Sequence, residues 1–198
     1  MSKKQIVVVF DFDGTLTTKD TFIEFIRFSC GKRKFFLGFM LFSPMIVLMK
    51  LKLYPNWKCK QKVYSWFFKG KEYSWFKQKG EDFVDEVIKI QRRKVVIELG
   101  NFKKKGAKIY VISASIYDWV RPFCYRLGVD CVLGTRIEFD ENGLITGKFS
   151  TKNCYGQEKV KRLLELEPNR EEYFLYAYGD SQGDKEMLSF ADKGILIK

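Results

Sequence analysis

Strand and helix alternate through the second half of this chain. A β-branched run near the N-terminus ends in two aspartates, and a basic, aromatic stretch of helical periodicity separates these two regions. Together the three observations predict an α/β fold: a parallel sheet with helices on both faces, interrupted by an inserted all-helical segment. The first strand is expected over Gln5–Asp11, where Ile6-Val7-Val8-Val9-Phe10 supplies the continuous apolar run of a strand buried on both faces.

After the helical stretch, Ala107–Ser113 reads as a second buried strand, Tyr117–Leu127 as a helix and Cys131–Leu133 as a short strand. Arg136–Phe139 and Leu144–Phe149 form a hairpin turned at Glu141-Asn142-Gly143, because Asn-Gly tolerates the left-handed geometry of a tight turn. A helix from Gly156 to Glu167 is closed by Pro168. Then come a strand Tyr173–Tyr178, a short helix over Asp184–Phe190 and a last strand Gly194–Ile197. Alternation of this kind makes a Rossmann-like core, and the first strand must join its sheet.

The expected division is a core of residues 1–16 and 106–198 and a helical cap of residues 17–105. Within the cap, Thr21–Ser29 places Phe22, Phe25, Ile26 and Phe28 at helical spacing, and Glu81–Lys105 shows one long amphipathic face. No internal repeat or low-complexity linker is visible. The cap holds 21 Lys and Arg against 8 Asp and Glu, while the remainder is nearly balanced, so it carries the whole excess of the +12 net charge.

Composition excludes several chemistries. With no histidine, Ser-His-Asp and Cys-His nucleophiles, His-based zinc sites and imidazole acid–base catalysis are all absent. Five cysteines stand singly, an odd number without a Cys-x-x-Cys pair, as befits reduced thiols in the cytoplasm. The N-terminal Met1-Ser2-Lys3-Lys4-Gln5 is basic, but the apolar run behind it is too short for a signal peptide.

Functional groups are expected where parallel strands end. Asp11 and Asp13 follow the first strand, Ser113 the second, Lys159 lies on the Gly156 helix, and Asp180 and Asp184 follow Tyr178 in Gly179-Asp180-Ser181-Gln182-Gly183-Asp184. Asp11 and Asp13 alone could ligate a cation, act as nucleophile and proton shuttle, or form a turn. Acidic groups from two strand ends suit Mg²⁺, which takes hard oxygens, and a lysine with a hydroxyl suits a phosphate. A receiver domain also combines such groups, but a helical insert of this size and a second acidic pair near the C-terminus argue against it.

The ordered set resembles the four motifs of the haloacid dehalogenase superfamily: Asp-Phe-Asp-Gly-Thr, Ser, Lys, then Gly-Asp-x-x-x-Asp, with a helical insert between the first two, as in the phosphoserine-phosphatase-like subgroup. The resemblance implies a phosphatase in which Asp11 is the nucleophile that becomes an aspartyl-phosphate and Asp13 the general acid and base. It implies Mg²⁺ held by Asp11, the backbone carbonyl of Asp13 and Asp180, with Asp184 in support. Gly14, Thr15, Asp20, Ser113, Ala114 and Lys159 become the substrate- and phosphate-binding set. Three departures argue against phosphoserine as substrate. Gly14 replaces a serine, Ser113-Ala114-Ser115 replaces Ser-Gly-Gly, and the cap arginine is absent, Lys62 being its approximate substitute.

Phe35–Met49 is fifteen residues without a charge, flanked by Lys32-Arg33-Lys34 and by Lys50 and Lys52. It is too short to span a bilayer, and Pro44 should kink it. It is either a buried helix pair of the cap or a segment lying at an anionic membrane surface. The layout of Asp13-Gly14-Thr15-Leu16, then Asp20-x-Phe22, the basic cluster, this proline-interrupted apolar stretch and Trp66-Phe67-Phe68-x-Gly70 is similar to the phosphatidylglycerophosphate phosphatase C type, which implies a lipid phosphate as the phosphomonoester and a place at the inner face of the membrane. A nucleic-acid partner is not expected, since the basic cap shows no binding module.

Overall fold

The computed structural model describes residues 4–198; Met1, Ser2 and Lys3 of the basic N-terminus lie outside the described residues. Its strands are β1 (Gln5–Phe10), β2 (Lys108–Ile116), β3 (Cys131–Thr135), β4 (Ile137–Phe139), β5 (Ile145–Phe149), β6 (Tyr173–Gly179) and β7 (Lys193–Leu196). Five of them form one parallel sheet in the order β3-β2-β1-β6-β7, and β4 and β5 pair separately as the antiparallel hairpin. From central β1 the chain winds outward to β2 and β3, then returns to the other side as β6 and β7. The order therefore reverses at β1, and the crevice beyond the strand ends at such a point is where α/β folds bind ligands.

The stretch between β1 and β2 contains five helices: α1 (Thr21–Lys50), α2 (Asn56–Phe68), α3 (Tyr73–Asp82), α4 (Val84–Ile90) and α5 (Arg93–Lys104). Three expectations change here. The long amphipathic face over Glu81–Lys105 is cut, because Gln91 adopts extended backbone and bridges antiparallel to Thr17. Thr18 N–H donates to the Ile90 carbonyl at 2.8 Å and Arg92 N–H to the Leu16 carbonyl at 2.7 Å, so two paired segments carry the chain into and out of the helices. Beyond them α5 lies on the sheet: Phe102 packs on Tyr176, and Glu98 accepts from the Tyr178 hydroxyl at 2.5 Å.

The second change concerns Phe35–Met49, which is one helix and not a pair, and is packed on one side only. It is the part of α1 beyond the kink at Gly31, one continuous helix whose outer face leaves Phe36 68%, Met40 69% and Leu41 59% exposed. Third, Pro44 does not break the helix; the non-helical backbone is at Gly31, where φ is 77° and glycine alone escapes strain. Proline removes the N–H that the Met40 carbonyl needs, and the Ser43 hydroxyl donates there instead at 2.8 Å. On its inner face α1 meets α2 closely at Gly38, where a Cβ would sit 2.4 Å from the Phe67 ring.

The remaining helices are α6 (Tyr117–Arg126), α7 (Gln157–Leu166) and α8 (Lys185–Phe190). Strand alternation divides the core in two. Val8, Phe10, Ile109 and Val111 face α5, α6 and the inserted helices, whereas Val7, Val9, Tyr110 and Ile112 face Val160 and Leu163 of α7 and Met187 of α8. Helices thus cover both faces. The inserted helices dock on α6 through Phe25, which stacks on Trp119 at 4.5 Å between ring centroids and meets Phe68, Phe76 and Phe83 at 5.8, 5.2 and 5.3 Å.

Candidate active site

Register brings the predicted residues together. Phe10 pairs with Tyr178 on one side and Val111 on the other, so Asp11, Asp180 and Ser113 all emerge at the same end of neighbouring strands. Asp11 lies one residue past β1, its N–H donating to the Tyr178 carbonyl at 2.8 Å. Lys159, 2% exposed on α7, donates to Asp11 Oδ1 and to Asp184 Oδ1, each at 2.5 Å. Burial pushes the Asp11 carboxyl up to about 7, with Lys159 opposing and Asp184 and Asp13 adding to the rise. Burial also disfavours the Lys159 ammonium, but Asp11 and Asp184 more than offset it and hold its pKa above the ordinary value. The second Asp184 oxygen accepts from the Ser181 hydroxyl at 2.9 Å and from the N–H groups of Ser181 and Asp180, which ties the loop after β6 into one unit.

Asp13 is gripped from two directions. Its Oδ1 accepts from the N–H and the hydroxyl of Thr21, the first residue of α1, at 2.7 and 2.5 Å, and its Oδ2 accepts from the buried Ser115 hydroxyl of β2. Ser113 accepts the Ser115 N–H at 2.9 Å and does not cap α6. Between these groups Gly14 has φ 76°, and a Cβ there would lie 2.0 Å from Asp180 Oδ2, so glycine is required both by conformation and by the closeness of that carboxylate. Arg92, from the returning segment, donates to the Gly14 carbonyl at 3.0 Å and secures the loop from behind.

A cleft of about 710 Å³ opens above this cluster, lined by Asp11, Asp13, Gly14, Ser113, Ala114, Lys159, Asp180 and Asp184 and roofed by inserted helices. Asp20 caps α1 by accepting from Phe22 N–H at 2.9 Å and opens on the cleft. Although its rim is solvated, desolvation deep in the cleft and the Asp13 carboxylate raise its pKa, with Lys60 opposing. The cation from α2 is Lys60, not Lys62. Lys60 donates to the Ala114 carbonyl at 2.8 Å and lines the cleft, whereas Lys62 is exposed beside Tyr54. Thr15, counted above with the phosphate-binding residues, is fully buried, does not line the cleft, and its hydroxyl has no partner among the described residues. Sequence reasoning also passed over Thr21, Ser115 and Arg92, whose hydrogen bonds join segments far apart in the chain.

Asp11, Asp180 and Asp184 each offer an oxygen within 4.8 Å of one another, a hard-oxygen set of the kind Mg²⁺ takes. The Gly14 cradle against Asp180 and the raised Asp11 carboxyl both fit a cation there, since gathered carboxylates need positive charge beyond the one ammonium of Lys159. The opposite wall is apolar: Phe39, Ile46 and Met49 of α1 reach the cleft from the same helix whose outer face is bare. Among the described residues, no helix is long and apolar enough to cross a membrane.

The haloacid dehalogenase-like hydrolase family matches residues 8–189, and the chain belongs to it. It is 33% identical to Protein CicA of Caulobacter vibrioides over 199 residues, covering 100% of this chain and 88% of that protein. In fold it is similar to a protein of unknown function from Bordetella pertussis Tohama I, with TM-score 0.75, 16% identity and coverage of 94% and 87%. A phosphoserine phosphatase carrying an analogue of its phospho-aspartyl intermediate is likewise similar, with TM-score 0.66, 19% identity and coverage of 96% and 84%.

Proposed function

We propose that this protein is a Mg²⁺-dependent phosphomonoester hydrolase that works through an aspartyl-phosphate on Asp11. The observation that carries the reading is the convergence of Asp11, Asp13, Ser113, Lys159, Asp180 and Asp184 at one sheet edge in a cleft roofed by inserted helices. Lys159 occupies Asp11 Oδ1 and so fixes the carboxylate with its other oxygen toward the cleft. Ser113, Lys159 and the N–H groups of Gly14 and Ala114 hold the phosphate oxygens, and Asp13 moves the proton. Asp11, the Asp13 carbonyl and Asp180, backed by Asp184, hold the Mg²⁺, which supplies the positive charge that lets an anion approach a carboxylate. The core, residues 1–16 and 106–198 together with α5 on its sheet, carries the chemistry. The inserted helices, entered and left through the Thr17–Gln91 pairing, form the cap that selects the leaving group.

For the substrate, the bare apolar face of α1 supports a phosphate borne by a lipid, reached at an anionic membrane surface. Apolar side chains there continue into the cleft through Phe39, Ile46 and Met49, while Lys32, Arg33, Lys34, Lys50 and Lys52 flank them. A small phosphometabolite is the second reading, favoured by Asp20 and Lys60, which both line the cleft and would offer one negative and one positive group to an amino acid such as phosphoserine.

Release of phosphate from an aryl phosphate is expected to need Mg²⁺, to stop with EDTA and to return on adding Mg²⁺. Asp11→Asn is expected to lower it by at least about 10³-fold with the circular dichroism spectrum unchanged. Substantial turnover by Asp11→Asn would remove Asp11 as nucleophile. Phosphate binding without Mg²⁺-dependent turnover would make the protein a phosphate-binding regulator instead.

A further inference from the structure

Ser115 has no part in the reaction described so far, yet it is fully buried and its hydroxyl is spent on Asp13. Both lone pairs of Asp13 Oδ1 are filled by donors that cannot be exchanged: the Thr21 N–H at 2.7 Å and the Thr21 hydroxyl at 2.5 Å. The Thr21 hydroxyl cannot turn away, because its oxygen accepts from Trp119 Nε1 at 3.1 Å, which points its own proton at Asp13. A proton in transit therefore has to use Oδ2, and the protein group on Oδ2 is the Ser115 hydroxyl. Ser115 is itself anchored, its N–H donating to Ser113 Oγ at 2.9 Å.

We infer that Ser115 is a positioning residue for Asp13: it fixes the carboxyl plane so that the remaining lone pair of Oδ2 faces the leaving oxygen of the substrate. The inference rests on the role given to Asp13 above. In the first half-reaction an Asp11 oxygen bonds to phosphorus, the bond from phosphorus to the ester oxygen breaks, and the proton on Asp13 Oδ2 passes to that oxygen as the alcohol leaves. In the second, water oxygen bonds to phosphorus, its proton returns to Asp13 Oδ2, and the bond between phosphorus and Asp11 breaks. Ser115 touches no reacting atom. It works by keeping Oδ2 in place while Thr21, at the start of the cap, keeps Oδ1.

Phosphoryl transfer to the enzyme in single turnover tests this, with one aryl ester and one alkyl monophosphate in the presence of Mg²⁺. An aryl leaving group departs without a proton donor; an alkyl one does not. Ser115→Ala, with Ser115→Gly as a second variant, is expected to slow transfer from the alkyl ester about tenfold while transfer from the aryl ester stays within about twofold and KM is unchanged. Equal slowing of both esters makes Ser115 a packing residue and overturns the inference, as does no slowing of either. Asp13→Asn tells the two failures apart. If it spares the alkyl ester, the role of Asp13 falls and Ser115 with it; if it slows the alkyl ester and the Ser115 variants do not, only the inference falls.

Discussion

At Lys60 three carboxylates and a carbonyl compete for one ammonium. Desolvation lowers its pKa although Asp20, Asp13 and Asp11 all act to raise it, so the charge is held in the cleft at a cost that an anionic group on the substrate would offset. Lys60→Met is therefore expected to raise KM about tenfold or more, with kcat changed far less, because a charge-assisted bond of about 1.5–3 kcal/mol is lost from binding. Lys62→Met is expected to leave both constants unchanged, and steady-state kinetics on the two variants checks the assignment. The choice between these lysines was legible in the helical phase of α2. Cys59, Val63, Tyr64 and Phe67 are its buried stripe, Lys60 falls in the middle of that stripe, and Lys62, two residues on, is turned by about 200°. The two aspartates after β1 and the acidic loop after β6 were legible because apolar runs that stop at acidic residues and glycine mark the ends of buried strands, and Lys159 because its helix follows them in the order of the motifs. Thr21, Ser115 and Arg92 were not, because what gives them a role is a partner 8 to 102 positions away in the chain.

Among the elements, α1 shows most clearly what periodicity carries and what it omits. Its first turns were readable from Phe22, Phe25 and Ile26, which all point into the core. The distal half is apolar around its whole circumference, and such a pattern predicts burial without saying against what. α2 covers one side, through Gly38 and the rings of Trp66 and Phe67, and nothing among the described residues covers the other. The proximal half is the part that holds the insert on the core. Phe25 is completely buried between Trp119 of α6 and three other rings, so Phe25→Ala is expected to destabilise the protein by about 3–5 kcal/mol. Denaturant unfolding reads this as a lower midpoint. A drop below about 1 kcal/mol would mean that the insert is held to the core elsewhere, as at the hairpin, where Gly70 N–H donates to the Ile145 carbonyl.

For the molecule as a whole, charge and apolar exposure point to the same surface. Lys32, Arg33, Lys34, Lys50 and Lys52 are exposed at the two ends of the distal half of α1, and the exposed large apolar side chains cluster on that half and the turn after it, including Leu51 at 62% and Leu53 at 72%. Two independent attractions then act on one face: about 1 kcal/mol for each Lys or Arg near an anionic bilayer, and about 1.5–3 kcal/mol for each large apolar side chain taken out of water. The first is screened by salt and the second is not. Co-sedimentation with anionic phospholipid vesicles is therefore expected to be strong at about 0.05 M salt and to fall about tenfold or more by about 0.5 M, leaving a residue of binding carried by apolar contact. Neutral vesicles should hold only that residue at either salt concentration. The double variant Phe36→Glu and Met40→Glu, both on the open face and away from the cleft lining, should remove the salt-resistant part with the helix content unchanged. Binding of the unaltered protein that vanishes completely in salt, or a salt-resistant part that persists in this variant, would reduce the membrane reading to general attraction of a basic protein or move the apolar contact elsewhere. Absence of binding at low salt would remove the lipid substrate and leave the Asp20 and Lys60 pair, with a small phosphometabolite, as the better account of the cleft.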